Sequence, residues 1–172
     1  MSNLMPDNLA RLYDQHADAL FAFLLSFTRD QAETRDALQE VFLKLARRPE
    51  LVDGLRDERA FLLRLARNTA LDLFRRGDAS KRNETRFASE ASPMFLPAEA
   101  PDEQVFRDAV AAALADLPEE QRAVVHLKLW EGLTFEAIAA VLGIGPNTAA
   151  SRYRYAVDKL RTRLRPLHQE LQ

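Results

Sequence analysis

Residues Thr134 to Leu164 read TFEAIAAVLGIGPNTAASRYRYAVDKLRTRL. The first part, to Gly143, is a short helix former that Thr134 is placed to cap and that Gly143 can close in a left-handed conformation. Ile144 to Thr148 holds Gly, Pro, Asn and Thr, which break or cap helices. From Ala149 the chain favours helix again. Ala149, Tyr153, Ala156 and Leu160 recur at helical spacing and form one buried face. Ile138, Leu142 and Ile144 supply an apolar corner, and Ala139 is small where two helices must approach. The stretch therefore predicts a short helix, a tight turn and a longer helix, a helix-turn-helix.

The longer helix is basic. Between residues 144 and 165, Arg152, Arg154, Lys159, Arg161, Arg163 and Arg165 stand against Asp158 alone. The whole chain has a net charge of −2, so this positive field is local, as a helix that meets a polyanion requires. Away from the buried face, Asn147, Thr148, Ser151 and Arg154 offer groups that hydrogen-bond base edges or phosphates. Arg152, Lys159 and Arg161 flank them and would attract phosphate. A solvated hairpin with a charged outside remains the alternative at this point.

Outward from this stretch the chain stays helical. Gln104 to Leu114 is amphipathic, Pro118 suits a helix start, and Trp130 is expected in the core. Upstream, Leu9, Leu12, Tyr13, Leu20, Phe23, Leu24 and Phe27 form one stripe. A second helix is expected over Ala32–Arg47, with Leu38, Val41, Phe42 and Leu45 inward, and a third from Glu58 to Arg76, ended by Gly77. Residues 77–102 change character, with polar residues, Ser, Ala and several prolines, and read as a linker. Phe87 and Met94 to Leu96 are unusual for a spacer and could dock on a domain or a partner. No alternating run long enough for a strand occurs. The fold class is all-α: two small helical domains, 1–76 and 103–172, joined by a flexible linker.

Composition narrows function. The chain has 172 residues and no cysteine, so disulfides, thiolate metal sites and cysteine nucleophiles are excluded. The start carries acids where a signal peptide needs bases, and no apolar run approaches a membrane span, so a cytoplasmic location is expected. His16, His126 and His168 have no metal-ligand spacing. Neither a Gly-rich phosphate loop nor a nucleophile elbow is present. No catalytic residue, metal or cofactor is expected.

Two domains in order carry a resemblance. LPEEQRAVVHLKLWEGLTFEAIAAVLGIGPNTAASRYRYAVDKLRTRL resembles the C-terminal domain of bacterial sigma factors, which reads the upstream promoter element as duplex. RDALQEVFLKLA, Arg35 to Ala46, resembles the helix with which the sigma-70 family grips the clamp helices of RNA polymerase. AFLLRLARNTALDLFRR, Ala60 to Arg76, resembles the promoter-melting helix. Order, linker and length resemble the extracytoplasmic-function group. The resemblance implies a transcription initiation factor whose partners are core RNA polymerase and promoter DNA. Many relatives also have an anti-sigma protein, which makes one a candidate partner here.

The resemblance assigns roles residue by residue. Asp36, Gln39, Glu40 and Leu43, on one helical face, would bind polymerase, although a plain solvated face has the same pattern. Phe61, Arg64, Arg67, Asn68, Arg75 and Arg76 would hold the opened downstream strand. The preceding loop, with Leu55, Arg56 and Asp57, would trap an extruded base. Asn147, Thr148, Ser151, Arg152, Arg154, Lys159 and Arg161 would read the upstream duplex. Ala150 stands where many relatives carry Lys, so Arg152 and Arg154 are expected to do more of the phosphate binding. A stand-alone regulator that binds duplex without polymerase is the alternative.

Overall fold

A computed structural model describes residues 4–80 and 101–170. The linker's apolar residues Phe87 and Met94 to Leu96 lie outside them. Among these residues seven α-helices follow one another: α1 (Leu4–Thr28), α2 (Gln31–Arg47), α3 (Glu58–Ser80), α4 (Pro101–Ala115), α5 (Glu119–Leu129), α6 (Phe135–Leu142) and α7 (Pro146–Glu170). A short 3-10 turn, Pro49–Val52, follows α2, and no strand occurs among the described residues. The chain divides into two compact units.

The first unit packs α1, α2 and α3 against one another. Leu12, Leu20, Phe23 and Leu24 of α1 meet Val41 and Leu45 of α2 and Leu62, Leu63 and Ala66 of α3 in a buried core. The α1–α2 corner is closed by local chemistry. Arg29 takes a positive φ of 58°. Asp30 caps α2 by accepting the Glu33 N–H at 2.8 Å, worth about 1 kcal/mol. The buried Thr34 hydroxyl donates to the Asp30 carbonyl at 2.6 Å. On α2 the buried set Thr34, Ala37, Val41, Phe42 and Leu45 follows helical periodicity, which turns the opposite face outward. Lys44 crosses to α3, its ammonium 3.1 Å from the Thr69 hydroxyl and 4.0 Å from Asp72.

One expectation is corrected. Gly77 does not end the third helix, which runs on to Ser80. A capping glycine works by adopting positive φ, and Gly77 is not among the residues that do so. It stays helical, at a cost of roughly 1 kcal/mol relative to Ala.

In the second unit α7 packs on α4 and α5. Leu114, Leu117, Val125 and Ala156 form its centre, flanked by Val110, Trp130, Tyr153 and Leu160. Trp130 is thus at the border of the core, its ring stacked on the buried His126 with centroids 5.6 Å apart. His126 Nε2 lies 3.5 Å from Glu131 Oε1, and both side chains are buried. Arg122 is only 7% exposed. Its Nη1 donates to the carbonyls of Leu117 at 2.9 Å and Ala115 at 3.2 Å, satisfying carbonyls that α4 leaves open at its end.

Candidate nucleic-acid and partner interfaces

The turn between α6 and α7 is built as its residues predict. Gly143 has φ 66°, and the Ile144 N–H closes back on the Ala139 carbonyl at 3.1 Å. Thr134 caps α6 by accepting the Ala137 N–H at 3.2 Å. Phe135 sits between two partners: the Lys128 ammonium lies 4.8 Å from its ring centroid, and the Tyr153 ring 5.7 Å away. Lys128 also donates to the Leu133 carbonyl at 3.0 Å. These contacts fix the start of α6 on α5 and α7. Ala149 and Ala156 are fully buried, so the opposite side of α7 is left outward.

On that outward side Asn147, Thr148 and Arg154 are exposed and Ser151 is half-buried. The Ser151 hydroxyl donates to the Asn147 carbonyl at 2.8 Å, which leaves its lone pairs outward. The Arg154 guanidinium lies 5.2 Å from the centroid of the Tyr155 ring. Tyr155 is 54% exposed and belongs to this face. Sequence reasoning passed over it, though its spacing of four from Ser151 is a sufficient signal. Arg154 can fork onto a guanine edge and Asn147 onto an adenine edge.

Three of the flanking cations have carboxylate partners. Arg152 turns to α5, its Nη2 2.8 Å from Glu120 Oε2. Arg161 lies 3.9 Å from Asp158, and Arg163 pairs with Asp116. Lys159 and Arg165 are exposed.

In the first unit, Arg64, Asn68 and Arg75 align along α3, while Arg76 is about a third of a turn away. Arg64, Asn68, Arg75 and Arg76 are exposed and Arg67 is half-buried. The Arg64 guanidinium lies 5.7 Å from the Phe61 ring centroid, and Arg75 is 3.8 Å from Asp72. Leu55 and Arg56 stand in the loop before α3, where Gly54 takes φ 69°. Asp57 has a structural use: its Oδ1 accepts the Ala60 N–H at 2.9 Å and caps α3. The next residue, Glu58, receives Arg11 as a fork, at 2.8 and 3.1 Å, and His16 at 3.4 Å. The Arg11 hydrogen bonds, with a smaller contribution from His16, hold the Glu58 carboxyl below its ordinary range. Loop 53–57 is therefore anchored at its downstream end.

On α2, Asp36 and Gln39 are exposed, Glu40 is half-buried, and Leu43 is 41% exposed beside them. An exposed leucine among carboxylates, on a helix whose other face is fixed in a core, suits a partner with basic and apolar groups. Among the described residues no group of three or more His, Asp or Glu could hold a metal ion. No helix among them is long and apolar enough to cross a membrane.

Comparison with known proteins matches both units. Residues 12–80 match the family described as Sigma-70 region 2, and residues 107–160 match Sigma-70, region 4. The chain is 37% identical over 158 residues to the ECF RNA polymerase sigma factor SigL of Mycobacterium tuberculosis, covering 91% of this chain and 88% of that one. It is 32% identical to the RNA polymerase sigma factor CarQ of Myxococcus xanthus, covering 96% and 94%. Among solved structures, the sigma factor RpoE of Bartonella quintana, in complex with the anti-sigma factor NepR, shares the fold. Its TM-score is 0.70 at 23% identity, over 92% of this chain and 97% of that one. Sigma factors are non-enzymatic transcription factors, and region 2 together with region 4 does not favour a stand-alone regulator. The helix-turn-helix of α6 and α7, the arginine-bearing α3 and the outward acidic face of α2 thus meet in a chain that belongs to the extracytoplasmic-function group of the sigma-70 family, the initiation factors that direct RNA polymerase to promoters.

Proposed function

We propose a division of labour within this initiation factor. Residues 1–76 bind core RNA polymerase and open the downstream promoter element. Residues 103–172 read the upstream element as duplex, with 77–102 as the connection. Asp36, Gln39, Glu40 and Leu43 grip polymerase. Leu55, Arg56, Phe61, Arg64, Arg67, Asn68, Arg75 and Arg76 hold the melted strand, and Asp57 shapes the loop as a helix cap. Asn147, Thr148, Ser151 and Arg154 meet base edges and adjacent phosphates, with Lys159 and Arg161 nearby. The protein acts in the cytoplasm, and an anti-sigma protein is a candidate regulator, as in the RpoE–NepR complex.

The observation that carries this reading is the α2 face. Leu43 stands exposed beside Asp36, Gln39 and Glu40, and none of the four belongs to the buried set of α2. The test is size-exclusion co-elution of the purified chain with bacterial core RNA polymerase, without DNA. Stoichiometric co-elution that Asp36→Arg/Glu40→Arg abolishes supports the reading. Co-elution unchanged in that variant removes α2 from the interface.

A further inference from the structure

The ion pairs of α7 form a pattern that base recognition does not explain. Six cations lie between residues 144 and 165. Three of them, Arg152, Arg161 and Arg163, are already opposed by carboxylates of the same unit. The partners of Arg152 and Arg163 come from the corner between α4 and α5, Glu120 and Asp116. Arg161 is paired within its own helix at 3.9 Å, a loose contact on two highly exposed side chains. The Arg152 pair is different in kind. It is tighter than the Arg161 contact, and Arg152 is only 25% exposed, whereas Glu120 is 68% exposed. Arg152 is thus laid against α5, with the carboxylate on the solvent side of the guanidinium's reach.

Arg152 adjoins Ser151 in sequence and stands two residues before Arg154, so it flanks the face that would enter a groove. A guanidinium there would ordinarily take a phosphate. Here a phosphate must compete with a carboxylate oxygen that already lies 2.8 Å from Nη2. Exchange of one anion for another releases little counterion, so the contact contributes little to affinity for arbitrary duplex.

We propose that Glu120 is an intramolecular competitor for phosphate: by occupying Arg152 it weakens sequence-independent binding of α7 to DNA and keeps the free chain off the chromosome. This rests on α7 being the duplex reader. It is compatible with promoter use, because a factor held on polymerase presents α7 to DNA at high effective concentration and needs less intrinsic affinity.

The test is fluorescence anisotropy of the full chain with a labelled random-sequence duplex of about 20 base pairs, titrated over NaCl from roughly 50 to 200 mM. Glu120→Gln should tighten binding about two- to five-fold, the range expected for releasing an exposed pair. It should also steepen the slope of log K against log salt by about 0.9, one added phosphate. Glu119→Gln makes the same charge change on the same turn and should leave the slope unchanged. In an Arg152→Gln background, Glu120→Gln should no longer steepen it. A slope for Glu120→Gln equal to that of Glu119→Gln, or a steepening that survives without Arg152, overturns the proposal.

Arg154→Ala and Lys159→Ala run in the same titration separate the two ways to fail. If they weaken binding while Glu120→Gln is flat, only the competitor role falls. If neither weakens binding, α7 is not the DNA surface, and the proposal falls with that reading. Equal urea midpoints for all variants, read from Trp130 fluorescence, confirm that the comparison is between folded proteins.

Discussion

Replacing Arg122 with Met should destabilise the second unit by about 2–3 kcal/mol while sparing the first. The buried guanidinium donates to the carbonyls of Leu117 and Ala115 at the end of α4. Hydrogen bonds from charged donors contribute roughly 1.5–3 kcal/mol each. Met keeps an apolar stem of similar length, so packing loss is small, and removal of a buried charge offsets part of the deficit. The carbonyls lose a donor in a buried setting, which sets the net at about 2–3 kcal/mol. The chain has one tryptophan, and it packs against the second unit's core, so its fluorescence reports that unit. Far-UV circular dichroism reports both. With a urea dependence of about 1 kcal/mol per M for a unit of this size, the fluorescence midpoint should fall by about 2–3 M. A shift under about 0.5 M would show that Arg122 is a buried charge whose desolvation cancels its bonds.

Four further outcomes are expected. Leu43→Asp should abolish co-elution with core polymerase with little change in the thermal midpoint, because Leu43 is exposed and lies outside the buried core. Arg154→Ala should weaken upstream-element use by about 1–3 kcal/mol if its fork meets a base, measured by transcription from promoters altered in that element. Asn68→Ala should slow strand opening with upstream binding intact, and normal permanganate reactivity would exclude it. Glu58 gives a pH dependence. The Arg11 hydrogen bond holds its folded carboxyl below the ordinary carboxylate range, so its contribution is present above that range and is lost as pH falls through the depressed folded value. Wild type should therefore exceed Glu58→Gln in stability by roughly 0.2–1 kcal/mol at neutral pH, and the difference should vanish in acid, as read by far-UV circular dichroism.

Much of this was legible because the signals are local. Gly143 and Thr134 do what their residue types predict, within the few residues that surround them. The α2 stripe separates core from surface by spacing alone. Gly77 misleads because a glycine ends a helix only when its φ turns positive, and composition does not fix φ. The Arg152 pair was hidden for another reason. Its partner Glu120 is on a different helix, and tertiary pairing is invisible to a count of charge along α7. Arg122 and His126 are charged or polar residues placed in a core, against every hydropathy scale. Asp57 as a cap was within reach, since it immediately precedes a helical run.

The anchoring of loop 53–57 has a kinetic consequence. Upstream it leaves a short 3-10 turn and bends at Gly54; downstream Asp57 and Glu58 are tied to α3 and α1. Fixing a residue's backbone costs about 1–2 kcal/mol, so a slack loop of this length would forfeit several kcal/mol each time it closed on an extruded nucleotide. In the capture proposed above, a loop already anchored at folding would meet less of that cost. The gain would appear in residence time: a captured base would leave slowly and the open promoter would live longer, with little change in the rate at which bases arrive.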